Sequence, residues 1–305
     1  MKPIRLQPVY KQALWASDYI SNLRNLSELN VGISREVCAY KGSENVILSE
    51  EFKGKKINEV INEYHRELMG DDPEKQLIRC AYMASKEALS IQVHMTEEHA
   101  KLVDDYEKSE SWYVLETGEN SSVVIGVNTT DKDLLREAIL NNDLEKYLIR
   151  KEVKEGDFIM VPAGLIHANG ENLFVMEIGS FGGITYRMYD YGRGRALDVD
   201  RALEVCYPEL TGEINSFPLP KEDMNNLQIG VHHRLFHTDV VDVKDEMCLP
   251  TLGKYNVYSC VKGKCILECD GENYPLAYTE TILIPASITE VTIKGKCRVL
   301  RSYKP

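Results

Sequence analysis

Residues 156–167 read Gly-Asp-Phe-Ile-Met-Val-Pro-Ala-Gly-Leu-Ile-His, a strand run into a tight turn with a histidine opening the return. Proline pre-sets one backbone angle of that turn, and Gly164 supplies a conformation that side-chain-bearing residues resist. The chain must double back at once, which commits this stretch to antiparallel β structure and faces His167 inward. A second run, Leu89-Ser90-Ile91-Gln92-Val93-His94, puts Gln92 and His94 on one face of a strand while Ile91 and Val93 fill the other. A third, Glu110-Ser111-Trp112-Tyr113-Val114, opens with a carboxylate beside two aromatics, costly to bury unless paired or bound to a cation. Taken singly, each has an ordinary reading: a solvated strand face, a hydrogen-bonded core histidine, a surface acid at a strand end.

Short strand-like runs recur over much of the 305 residues, enough chain for two medium domains. Ile57, Val60, Ile61, Tyr64 and Leu68 have the spacing of one helical face and predict a helix over 56–69, stopped by Gly70. A polar helical stretch follows near 97–107. Thr130 is the expected cap of a further helical segment over 130–151, before β structure resumes at 157. Prolines within 207–223 mark a linker, so the expected division is 1–210, interrupted by those helices, and 211–305, a small all-β part.

A net charge of -12 disfavours nucleic-acid or anionic-membrane surfaces, so an anionic substrate must be met by a few local Arg or Lys residues. No run approaches the ~18 apolar residues of a membrane span. The start, MKPIRLQPVYKQ, lacks the apolar core of a signal peptide, and a cytoplasmic protein is expected. Eight cysteines without a C-x-x-C pair point away from a zinc ribbon or a disulfide scaffold.

Gly-x5-Pro-x-Gly-x2-His is the second cupin motif, and His94, Glu110 and Gly118 resemble the first. Over residues 89–193 the segments Ser-Ile-Gln-Val-His, Glu-Ser-Trp-Tyr, Pro-Ala-Gly-Leu-Ile-His and Thr-Tyr-Arg-Met-Tyr-Asp resemble, in order, those of short bacterial class I mannose-6-phosphate isomerases. The resemblance implies a mainly β fold of two cupin (jelly-roll) barrels with a small helical insertion. The first, over 89–187, would hold one Zn2+ through Gln92, His94, Glu110 and His167; the second would carry no metal ligands. Two imidazoles, a carboxylate and an amide oxygen also tolerate Mn2+ or Co2+.

The same resemblance implies interconversion of mannose 6-phosphate and fructose 6-phosphate through an enediol, with Arg187 as the catalytic cation and Lys108 meeting a phosphate or sugar hydroxyl. Without the family, Arg187 reads as paired to Asp190 or Glu177, and Lys108 as solvated. The general base stays open among Glu177, His99 and Lys108. His232, His233 and His237 lack a partner carboxylate motif and read as an ordinary strand face. Where the family has a lysine on the preceding strand this chain has Ala81, with Arg79 two residues earlier. That keeps open a related isomerase or epimerase of another sugar or sugar phosphate. A non-catalytic sugar-binding cupin is the reading from another class, and a monomer or homodimer is expected.

Overall fold

Backbone pairing in this computed structural model, which describes residues 1–220 and 224–305, gathers the strands into five sheets. The last three residues of the expected linker, 221–223, lie outside the described residues. Residues 10–34 and 82–216 form one unit; 1–9, 35–81 and 217–305 form another.

Two sheets frame the unit that carries the cupin-like motifs. One runs Glu213–Ser216, Asp157–Val161, Glu110–Thr117, Leu173–Gly179, Arg79–Ser85, Val31–Val37, Val9–Gln12; the other runs Tyr186–Tyr189, Ile91–Val93, His167–Asn169, Ser122–Val127, Leu148–Glu152. Trp112, Val114, Ile159, Val161 and Val175 of the first pack in one buried cluster with Val123 and Ile125 of the second, so the sheets share a core. Each such side chain contributes about 1.5–3 kcal/mol on burial. The far face of the second sheet, including Ile91, Val93, Val124 and Met188, is covered by the helices Lys132–Leu140 and Val199–Val205 through Leu135, Ile139, Ala202 and Leu203. Ile91 and Val93 therefore face the helices, while Leu89 packs against Trp15 and Ala16 and the polar members Gln92 and His94 face the other sheet.

In the other unit, Asn226–His233, Phe236–Val243, Cys297–Tyr303, Asn256–Gly263 and Thr281–Ile284 make a five-stranded sheet, and Glu246–Pro250, Glu290–Lys294, Cys265–Cys269 and Glu272–Leu276 a four-stranded one. Val241, Tyr258 and Val299 share a core with Leu267, Val291 and Ile293. The fifth sheet is the short pair Leu6–Gln7 and Val46–Ile47.

The sheets do not close into the two cupin barrels that the resemblance implies. Closure needs the first and last strands of a sheet to hydrogen-bond in a staggered register. Here the seven-stranded sheet ends in two four-residue strands, Glu213–Ser216 and Val9–Gln12, at opposite edges, and the other sheets are open too. The fold is mostly β-sheet with minor helix, its apolar faces covered by stacking and not by rolling one sheet on itself.

The helical segments are shorter than periodicity predicts. The stretch 56–69 forms two helices, Ile57–Glu63 and His65–Met69, broken at Tyr64, whose φ of -126° leaves the helical region. Asp131, not Thr130, caps Lys132–Leu140, its carboxylate accepting from the backbone N–H groups of Asp133 and Leu134. After a 3-10 turn at Leu144–Tyr147 the chain is strand at Leu148–Glu152. The polar stretch near 97–107 is helical only over Glu97–Lys101. No helix among the described residues is long and apolar enough to cross a membrane.

Candidate metal centre

The turn after Asp157–Val161 positions the first pair of side chains. Gly164 takes a φ of +85°, and a Cβ there would lie 2.3 Å from Tyr207 Cδ2, so both backbone angle and space demand glycine. Its N–H donates to the His94 carbonyl at 2.9 Å, tying the turn to the end of Ile91–Val93. His167 then stands directly opposite Gln92 on the adjacent strand. Glu110 comes from the other sheet, in register with Val161 and Gly179.

These elements bring His94, Glu110 and His167 together, each at most 1% exposed. His94 Nε2 lies 3.3 Å from Glu110 Oε2, and His167 Nε2 lies 3.5 Å from Glu110 Oε1. The Gln92 amide reaches His167 Nε2 at 3.3 Å; turning the amide over presents its oxygen at the same place. An ion with tetrahedral bonds of about 2.0–2.1 Å keeps its ligand atoms about 3.4 Å apart, close to these two imidazole–carboxylate spacings, and the ligand atoms of the three residues all lie within 4.8 Å of one another. Among the described residues no other group of three or more His, Cys, Asp or Glu is arranged to hold a metal.

Orientation and protonation suit that role. His167 Nδ1 donates to the Leu165 carbonyl at 2.8 Å, which leaves the Nε2 lone pair facing Glu110. The Trp112 ring packs 5.6 Å from the His167 ring, centroid to centroid, and is itself buried. Burial, then the Lys108 ammonium, pushes the His94 imidazole down to about 3, so it is neutral with a lone pair to give. Burial works to raise the Glu110 carboxyl, but Lys108 and the two imidazoles outweigh it and hold the group well below the usual carboxylate range. Neither Glu110 oxygen accepts an aligned hydrogen bond, its one close cationic neighbour being the Lys108 ammonium 2.8 Å from Oε2, so lone pairs on both oxygens remain for a bound cation to satisfy. The donor set therefore fits a divalent ion.

Arg187 stands opposite Gln92 on the strand flanking it from the other side, so Arg187, Gln92 and His167 form a row across three strands with side chains on one face. One guanidinium nitrogen donates to the Ala196 carbonyl at 2.9 Å. Asp190 is not its partner: that carboxylate is taken by Arg193 and Arg195. Lys108 is buried, its Nζ 2.8 Å from Glu110 Oε2 and 2.9 Å from His94 Nε2. Glu177 lies opposite Trp112, on the Glu110 face of its sheet. His99 instead bonds the Thr96 hydroxyl at 2.9 Å and meets the Tyr207 ring edge-on.

His232 and His237 face each other across a hairpin with ring centroids 4.0 Å apart and join no metal-holding group of three. Ala81 is buried, and the Arg79 guanidinium lies over the Tyr40 ring at 5.6 Å. The Leu165 carbonyl and the Trp112 contact with His167 were not anticipated from sequence; only the alternation of Trp112 with Glu110 hinted at the second.

Comparison with known proteins gives concordant results. Residues 231–304 match the family model described as mannose-6-phosphate isomerase, cupin domain. The chain is 24% identical to the mannose-6-phosphate isomerase ManA of Bacillus subtilis over 99% of both chains. It is similar to the crystal structure of the mannose 6-phosphate isomerase from Bacillus subtilis, with a TM-score of 0.90, 25% identity and 99% of each chain covered. A zinc-bound mannose 6-phosphate isomerase shares the fold at a TM-score of 0.79 and 12% identity over the whole of both chains. With end-to-end likeness in sequence and structure and a buried His94–Glu110–His167 triad, the chain is a homologue of the cupin-type mannose-6-phosphate isomerases.

Proposed function

We propose that this protein is a zinc-dependent aldose–ketose isomerase that interconverts mannose 6-phosphate and fructose 6-phosphate. The observation that carries the reading is the buried triad, with Gln92 and Arg187 in register beside it. Gln92, His94, Glu110 and His167 would hold the ion, a set with two nitrogen and two oxygen donors suited to zinc. When bound, zinc supplies a Lewis acid beside the C1 and C2 oxygens of the sugar.

The chain's own residues do the rest. Arg187 keeps its charge at any physiological pH and offsets negative charge on the enediolate. Lys108 meets a sugar hydroxyl or the phosphate. Among the groups eligible by type as base, Glu177 is the carboxylate whose register places it on the Glu110 face, and it moves the proton between C1 and C2. A chain of net charge -12 acting on an anion relies on these few local cations, and we place it in the cytoplasm as a monomer or homodimer.

A second reading, an isomerase or epimerase of another sugar or sugar phosphate, is favoured by the buried methyl of Ala81 where the family pattern has a lysine. A coupled assay of fructose 6-phosphate formation from mannose 6-phosphate, on metal-quantified protein with chelator and zinc repletion, decides. Chelator-sensitive turnover is expected. Fully zinc-loaded protein without turnover would shift the assignment to other aldoses and ketoses.

A further inference from the structure

Lys108 lies two residues before Glu110 and is about nine-tenths buried, its backbone N–H on the Met95 carbonyl at 3.2 Å. That bond seats it alongside His94. Its ammonium contacts His94 Nε2 at 2.9 Å and Glu110 Oε2 at 2.8 Å, with no other partner among the described residues. Both atoms belong to the metal centre, but they differ as partners. A carboxylate has several lone pairs, so Glu110 can keep the ammonium on Oε2 while Oε1, 3.5 Å from His167 Nε2, serves an ion. An imidazole nitrogen has one lone pair: His94 Nε2 accepts from Lys108 or binds an ion, never both. Its Nδ1 is buried without a partner, and the tautomer with the proton there serves either state, so the exchange needs no proton movement on the ring.

We propose that Lys108 is an internal competitor of the metal. Its ammonium holds His94 and Glu110 in the geometry the ion needs, leaves Nε2 as the ion binds, and so sets the metal affinity below what the donors alone would give. Displaced from His94 but still beside Glu110, it becomes the mobile cation nearest the incoming substrate. Only this last step rests on the isomerase reading.

The test is a zinc titration of metal-stripped full-length protein against a chromophoric chelator, comparing the native chain with Lys108→Met, which keeps the length of the side chain and removes its charge. The variant is expected to bind zinc at least tenfold tighter, about 1.4 kcal/mol. Equal or weaker binding by a variant with native circular dichroism overturns the proposal. If Lys108→Met does not fold, nitrogen NMR of the native protein replaces it: zinc should abolish the hydrogen bond between Lys108 Nζ and His94 Nε2, and its survival in zinc-loaded protein overturns the idea. Neither measurement involves substrate. Native protein that binds zinc without turning over mannose 6-phosphate would therefore sink the isomerase reading while the affinity comparison still decides this one.

Discussion

Replacing Arg187 with alanine separates the metal centre from the chemistry. Arg187 provides none of the lone pairs that hold an ion, and its side chain reaches the shared face from the strand beside Gln92. Residues opposite each other on paired strands stand about 5 Å apart at Cβ. A unit charge about 5 Å from a developing anion, at an effective dielectric constant of about 20, is worth about 3 kcal/mol. That corresponds to a loss of about 10² in kcat for Arg187→Ala, in line with removing one donor from an oxyanion site. The assay is the coupled formation of fructose 6-phosphate, with zinc content measured on the same sample. Zinc should stay stoichiometric while turnover falls. Native turnover in the variant would remove Arg187 from the mechanism, and loss of zinc together with turnover would make it a structural support of the centre.

Three further outcomes are expected. His167→Ala should lose metal and activity together, read by elemental analysis beside the coupled assay; retained stoichiometric zinc would place the ion elsewhere. Gly164→Ala forces a Cβ into a left-handed backbone and against Tyr207, and should cost about 2–4 kcal/mol in denaturant unfolding with weakened zinc binding. A native unfolding midpoint would contradict the steric argument. In the other unit Asp242 meets Arg298 through two short contacts of 2.7 and 2.8 Å, both side chains under 10% exposed. Asp242→Ala leaves the guanidinium buried without its carboxylate and should destabilise by about 3–5 kcal/mol, with zinc content unchanged in protein that remains folded. A shift under about 1 kcal/mol would mean that the carbonyls of Phe217 and Pro218 satisfy Arg298 without Asp242.

Much of the local structure was legible because its causes are local. Period-two alternation placed Gln92 and His94 on one face, and the Pro-Ala-Gly turn announced that His167 opens a strand, but not that this strand leaves Asp157–Val161 for the other sheet instead of pairing back on it. The helix over 56–69 was legible as an apolar face but not as two pieces, because the break at Tyr64 is no feature of its spacing. Asp131 outranks Thr130 as a cap because it stands one residue nearer the first helical turn, a distinction within the reach of sequence reading but not of its boundaries. Val199–Val205 went unnoticed among the strands, since a seven-residue helix has too few turns for a clear period.

By itself, then, the amino-acid sequence determined which residue types could serve a metal and which face of each strand they occupy, because side-chain direction along a strand follows from backbone geometry alone. Tertiary structure decided that the sheets stay open, that Glu110 arrives from a different sheet than His94 and His167, and that Arg187 stands level with Gln92. It also decided that Lys108 turns onto two of the donors and not into solvent. Those outcomes depend on register and stacking between segments far apart in the chain, and pairing of that kind is chosen by the whole apolar core, which no single segment encodes.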